Sequence, residues 1–191
     1  MKKTILLLTF VLASFYGFSQ DALYGVRAGY NISNLDFDPE VPTGVENAHR
    51  NGFFIGFFGE YSLSKSFSFA PEVQFSAEGA KDDNVLIPSI NQQERFSLRI
   101  NYIQVPLYFK YKIGQSLSIG VGPQASLKGH SYEDGLQNLG FSALGGLEYM
   151  ISDEFFIDFR YSYGLTNVID DNAIGLEAKN TNMQIGLGVK F

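Results

Sequence analysis

Apolar and polar residues alternate one for one through most of this chain, and the cleanest run is the last, Asn182 to Phe191. Its odd positions carry Met183, Ile185, Leu187, Val189 and Phe191, and its even positions carry Asn182, Gln184, Gly186, Gly188 and Lys190. A period of two belongs to a β-strand with one apolar and one polar face. A strand of about ten residues crosses a bilayer when tilted. The run ends on an aromatic ring with no polar tail, where a soluble domain usually frays into polar residues. It reads as a closing strand whose apolar face is Ile185, Leu187, Val189 and Phe191, the last at a membrane interface.

The same alternation recurs upstream. Tyr24, Val26, Ala28, Tyr30 and Ile32 share a face opposite Gly25, Arg27, Gly29 and Asn31. Within Gly52–Leu63, Phe53, Ile55, Phe57 and Tyr61 oppose Gly56 and Glu60, while Phe54 and Phe58 interrupt the polar side. Phe67–Gly79 sets Phe67, Phe69, Val73 and Phe75 against Ser68, Glu72, Gln74, Ser76 and Glu78. From about Leu98 to Ile113, Ile103, Val105, Leu107, Phe109 and Tyr111 oppose Gln104, Tyr108, Lys110 and Lys112. Leu117–Lys128, Phe141–Ile151 and Phe155–Leu165 repeat the pattern, with Glu148, Asp158 and Arg160 on the polar side. Short turns at Ser64-Lys65-Ser66, Gly114-Gln115-Ser116 and Ser152-Asp153-Glu154 rotate with long polar connections at 33–51, 80–96, 129–139 and 166–181. Eight segments joined short and long in rotation predict an all-β fold, an eight-stranded antiparallel up-and-down barrel that spans a membrane. Pro71, Pro106 and Pro123 fall inside predicted strands, where each removes a ladder donor, so bulges are expected there.

Alternation alone does not say which face looks outward, and a soluble carrier barrel would alternate as well. Three features decide. Eight strands leave an interior wide enough only for side chains or one small ligand, and the Gly- and Ser-rich polar face suits that narrow side. Aromatics of the apolar face gather at the segment ends, with Tyr24, Tyr61, Phe67, Tyr111, Tyr149, Phe155 and Phe191 toward the short turns. Tyr30, Phe53, Phe75, Phe141 and Tyr163 lie toward the long connections. Two such girdles match two membrane interfaces. Finally, the polar face carries Arg27, Lys110, Lys112, Lys128, Arg160 and Lys190 against Glu60, Glu72, Glu78, Glu148 and Asp158. Near balance on one face fits a lumen of paired charges, because an unpaired buried charge costs several kcal/mol. The expected lumen network is Arg27, Glu60, Glu72, Lys110, Glu148, Asp158 and Arg160.

The start of the chain differs from everything after it. Lys2 and Lys3 precede an apolar run from Ile5 to Ala13, and Gly17 and Ser19 supply small residues before a cut. Residues 1–19 therefore read as a secretory signal peptide, leaving 20–191 as the barrel domain. The formal charge is −6, and loss of Lys2 and Lys3 makes it more negative, so no basic stripe exists for nucleic acid. Without a single cysteine there is neither a lipid acceptor nor a disulfide.

Several short motifs together resemble the PorT-like outer-membrane β-barrel family of Bacteroidota, within the broad group of small OmpA/OmpX-like barrels. They are Phe69-Ala70-Pro71-Glu72 with Gly79, Tyr102-Ile103-Gln104-Val105-Pro106-Leu107, Gly120-Val121-Gly122-Pro123 and Gly145-Gly146-Leu147-Glu148-Tyr149. The most specific is Arg160-Tyr161-Ser162-Tyr163-Gly164-Leu165-Thr166-Asn167, with the Gly188-Val189-Lys190-Phe191 end. Gln104 stands where that family often has an acidic residue. The resemblance implies a barrel in the outer membrane and no single activity.

Candidate chemistry is sparse. His49 and His130 both fall in long connections, and Ser131 adjoins His130, but neighbours in sequence rarely form a base and its nucleophile. Asp82-Asp83-Asn84 and Asp170-Asp171-Asn172 offer oxygen ligands without the spacing of a calcium loop. No cofactor, metal centre or catalytic set is expected. The sequence thus predicts a non-enzymatic outer-membrane barrel with periplasmic termini, presenting four acidic loops and plugged by paired charges. Its expected partners are outer-membrane lipid and lipopolysaccharide, the barrel-assembly machinery during insertion, and a surface protein or ligand. A narrow channel is the alternative, and a loop-borne hydrolase using His49 or His130 a distant third.

Overall fold

The computed structural model describes residues 22–38, 49–87, 92–129, 138–168 and 177–191. Eight strands follow one another: β1 (Ala22–Asp38), β2 (Arg50–Ser62), β3 (Phe67–Ile87), β4 (Gln92–Ile113), β5 (Leu117–Lys128), β6 (Leu139–Met150), β7 (Phe155–Gly164) and β8 (Glu177–Lys190). Each pairs antiparallel with the next, and β8 returns to β1, so the sheet is a closed barrel. Residues 1–19, His130 and Asp170-Asp171-Asn172 lie outside the described residues.

The barrel is inverted relative to a soluble protein. Leu187 and Val121 are each 62% exposed on the outer wall, whereas Arg27 is 1% exposed in the interior. β7 alternates exposed and buried without a break over its whole length. Apolar side chains facing out along every strand fit a bilayer, where a closed barrel satisfies all its own backbone groups. Outer aromatics pair across strands near both rims. Phe67 lies 5.1 Å from Tyr111 beside a short turn, and Phe53 lies 5.7 Å from Phe75 toward the long connections.

Two of the short turns use the same chemistry. The Ser64 hydroxyl accepts the Phe67 amide at 3.1 Å, and the Ser152 hydroxyl accepts the Phe155 amide at 3.1 Å. The third relies on Gly114, whose φ of 70° is open to glycine.

Two sequence expectations need correction, the bounds of the long connections and the effect of the prolines. The long polar stretches at 33–51, 80–96 and 166–181 are partly strand: β1 runs to Asp38, β3 to Ile87, β4 starts at Gln92 and β8 at Glu177. Beyond the bilayer both faces of a strand can meet water, so pairing continues where the alternation that marks it has ended. Asp82-Asp83-Asn84 accordingly lies in β3.

The prolines do not cause bulges. Pairing of β2 with β3 lapses between Phe58↔Glu72 and Tyr61↔Phe69, beside Pro71, and resumes in unchanged register. The same happens between β3 and β4 at Pro106, and between β4 and β5 at Pro123. A missing N–H silences one side of a strand only, and each proline keeps its pairing on the other: Pro71↔Leu107, Pro106↔Gln124, Pro123↔Ala143. The register shift lies instead between Asp82 and Val85.

Closure extends to the final residue, since the Phe191 amide donates to the Tyr24 carbonyl (2.8 Å) and the Tyr24 amide to the Phe191 carbonyl (3.0 Å). Deleting Phe191 removes both bonds, about 1 kcal/mol each, together with an exposed interface ring. The truncated chain should insert poorly. Membrane levels equal to the intact chain, by heat-modifiable gel mobility of purified membranes, would dismiss that role.

Candidate functional site: the barrel interior

The inward positions build the interior in tiers. Nearest the short turns, Lys110 Nζ meets Glu60 at 2.5 Å and Glu148 at 3.0 Å. Lys190 Nζ meets the same two carboxylates at 2.8 and 2.6 Å. In the middle, Arg27 pairs with Glu72 (3.2 Å) and Asp158 (2.8 Å), and Arg160 pairs with Glu72 (2.7 Å) and Asp158 (2.8 Å). Each cluster holds two cations and two carboxylates and is neutral. Every one of the seven residues expected in the lumen points inward, and Lys190 completes the first cluster. Lys112 is exposed and Lys128 half-buried, and neither contributes to the ion pairs of these two clusters.

Beneath the ions lies an arrangement that alternation does not announce. Arg27 stacks 4.3 Å from the Phe54 ring centre, Arg160 4.5 Å from Tyr108, Lys190 5.1 Å from Phe156 and Lys110 6.0 Å from Phe58. A cation over a ring face is attracted by its quadrupole, more so where water is excluded. Each ring in turn lies on a glycine: Phe54 on Gly186, Tyr108 on Gly120, Phe156 on Gly188 and Phe58 on Gly25. A methyl group at any of these glycines would collide with the ring above it. Glycine is therefore needed on the polar face for room, with each ring filling the space a side chain would take.

Gly188→Ala tests one such column. Its new methyl would overlap the Phe156 ring, and overpacking of this kind costs about 1–3 kcal/mol. The urea midpoint of the refolded barrel should fall accordingly, and an unchanged midpoint would mean the ring relocates freely.

Farther toward the long connections the lumen is polar and poor in charge. Asn31, Ser33, Ser76, Gln104 and Asn182 are buried there around Glu78. Here β2 still pairs with β1, at Ser33↔Arg50, but its pairing with β3 ends at Phe54↔Ser76. The Ser33 hydroxyl links β1 directly to β3, donating to the Gly79 carbonyl at 2.8 Å and accepting the Gly79 amide at 3.0 Å. The short-turn mouth opens into a vestibule of about 510 Å³, floored by Glu60, Glu148 and Lys190 and walled by Ser64, Ser116 and Ser152. His49 is exposed at the edge of β2. Among the described residues, no three or more His, Cys, Asp or Glu side chains gather as metal ligands.

Sequence reasoning passes over Phe156 and gives Phe54 and Phe58 no role. The signal is present, since an aromatic at an inward position among glycines and cations marks a filled lumen.

Solved structures share this architecture. Neisserial surface protein A matches with a TM-score of 0.55 at 15% identity, over 90% of this chain and 100% of that one. Ail, the attachment invasion locus protein of Yersinia pestis, matches with a TM-score of 0.52 at 15% identity, over 90% and 100%. Ail in complex with the heparin analogue sucrose octasulfate matches with a TM-score of 0.51 at 15% identity, again over 90% and 100%. At such identity the likeness concerns the fold. Nothing among curated protein sequences matches this chain. The family model described as "Outer membrane protein beta-barrel domain" matches residues 18–170. An inverted, closed eight-stranded wall and that match together make the chain a member of the outer membrane protein β-barrel domain family, a small barrel of the outer membrane.

Proposed function

We propose that this barrel is a non-enzymatic anchor that carries its long connections at the cell surface, with its lumen closed to solutes by paired charges. The observation that carries the reading is the pair of stacked neutral clusters, eight buried or nearly buried charged side chains joined by eight contacts of 2.5–3.2 Å. With the four rings beneath them, they fill the cross-section that a conducting path would need. The short turns and both ends of the chain face the periplasm, and residues 1–19 act as the export signal. The motifs from Arg160 to Asn167 and at the closing strand favour the PorT-like subgroup.

The connections are rich in Asp and Glu, so their contact with lipopolysaccharide runs through bridging divalent cations. That acidity also disfavours direct binding of a sulfated saccharide such as the sucrose octasulfate held by Ail. A surface protein or ligand, and the assembly machinery during insertion, complete the set of partners. The alternative is a narrow channel, favoured by the vestibule at the short-turn mouth. Planar-bilayer recording separates the two. The plugged anchor gives no steady single-channel current, and a reproducible current from purified barrel would replace it with the channel.

A further inference from the structure

Among the described residues no cationic side chain neutralises the buried carboxylate of Glu78. It is 0% exposed. Its Oε1 accepts hydrogen bonds from Ser76 Oγ (2.7 Å), Gln104 Nε2 (2.9 Å) and Asn182 Nδ2 (2.6 Å), and its Oε2 accepts one from Asn180 Nδ2 (2.5 Å). Among the described residues no Lys or Arg forms an ion pair with it, whereas Glu60, Glu72, Glu148 and Asp158 each have two. Leaving one ion buried without an opposite charge costs several kcal/mol.

A second feature of the same tier points the same way. Asn31 Oδ1, Asn180 Oδ1 and Asn182 Oδ1 are buried and accept no hydrogen bond, and Asn31 and Asn182 are 0% and 2% exposed. Asn31 spends its amide group on Ser76 Oγ at 2.8 Å, and Ser76 in turn donates to Glu78. Buried acceptors of this kind normally find a donor, a water or an ion. The tier thus combines a carboxyl group with no ion-pair partner among the described residues and three acceptor oxygens with no donor.

We propose that the Glu78 tier binds one hard, singly charged cation, with Glu78 as the charged ligand. Asn31, Ser76, Gln104, Asn180 and Asn182 supply neutral oxygen ligands. Hard cations take carboxylate and amide oxygens, and a side-chain amide can present either its oxygen or its NH₂ by turning about its last bond. One carboxylate balances one positive charge, which selects an alkali ion over a divalent one. A small cavity of about 30 Å³ adjoins the tier, lined by Gln104, Asn180, Gln124 and Ser142 and also by Tyr102, Phe141 and Val168. A cavity of that size holds a water or an ion, and its walls reach toward the long-connection rim. The site stands whether or not the lumen conducts, since it lies apart from the two neutral clusters.

The test uses the folded barrel in detergent, in choline chloride replaced stepwise at constant ionic strength by sodium, potassium or calcium chloride. The readout is the thermal unfolding midpoint. Binding to the folded state raises the midpoint saturably, so sodium or potassium should do so in the wild type and lose the effect in Glu78→Gln. Should Glu78→Gln fail to fold, Asn182→Asp provides the second arm. It adds a carboxylate to the cage and should move the preference toward calcium. The proposal is overturned by a flat alkali-ion response in the wild type, by the same response in Glu78→Gln, or by an unaltered preference in Asn182→Asp. A wild-type response to calcium alone would overturn the single-charge assignment. A midpoint that rises with falling pH and ignores every salt would overturn it too, because a proton then occupies the site.

Discussion

Arg160→Met is expected to destabilise the folded barrel by roughly 3–5 kcal/mol, the usual cost of breaking a buried ion pair from one side. Met keeps much of the length and apolar bulk of the side chain, so the loss falls on charge. Arg160 contacts Glu72 at 2.7 Å and Asp158 at 2.8 Å, and the substitution leaves Arg27 alone to neutralise both. It also uncovers the Tyr108 ring, which lies 4.5 Å below the guanidinium. Arg27→Met should behave alike, because Arg27 faces the same two carboxylates. Lys65→Met is the control, in an exposed short turn where an ion pair contributes at most about 1 kcal/mol. The measurement is the urea midpoint of refolded protein. Equal midpoints for Arg160→Met and Lys65→Met would mean that water screens the middle cluster, and the closed-lumen reading would go with it.

Most of the barrel is written in the alternation, because a membrane-spanning strand obeys one rule at every position. Leu117–Lys128 and Phe155 onward can be placed to within a residue for that reason. The rule fails where the bilayer ends. Glu177–Thr181 pairs with β1 as firmly as the rest of β8, yet it reads as loop because nothing there forces one face to be apolar. Pro71, Pro106 and Pro123 mislead for a different reason. Proline chemistry says which hydrogen bond is lost but not whether the strand must buckle, and in this wall each proline keeps an intact neighbour on its other side.

The interior is half legible. Period two puts Arg27, Glu72, Asp158 and Arg160 on one face, but only the register of eight strands brings residues 27, 72, 158 and 160 to one height. The ring-on-glycine columns depend on contacts between strands far apart in sequence, such as Phe54 with Gly186. In the sequence Glu78 is one more member of a balanced set. Its isolation from the described cations becomes visible only when the heights are known.

Those heights also allow the sign of the middle cluster's contribution to be predicted. Removing all four members at once, as Arg27→Met, Glu72→Leu, Asp158→Leu and Arg160→Met, should return the barrel to wild-type stability or raise it by about 1–4 kcal/mol. Desolvating four charges is costly, and their mutual attraction repays that cost only partly, so apolar groups of similar bulk can do as well. The four positions touch one another and the rings of Phe54 and Tyr108, which makes strong non-additivity the expected outcome. Single changes lose several kcal/mol, whereas the quadruple change loses nothing. The Glu72 and Asp158 carboxylates occupy the space that a Cβ at Gly56 or Gly186 would take, so a parallel variant with the smaller Val at positions 72 and 158 separates overpacking from loss of charge. Both variants are first checked for the gel mobility of a folded barrel. A quadruple variant at least as destabilised as Arg160→Met, with Leu and with Val alike, would show that the cluster holds the wall together by its own net attraction. Recovery would instead identify the charges as a device for alignment, fixing which residues of β1, β3 and β7 stand at one height while contributing little to the total stability.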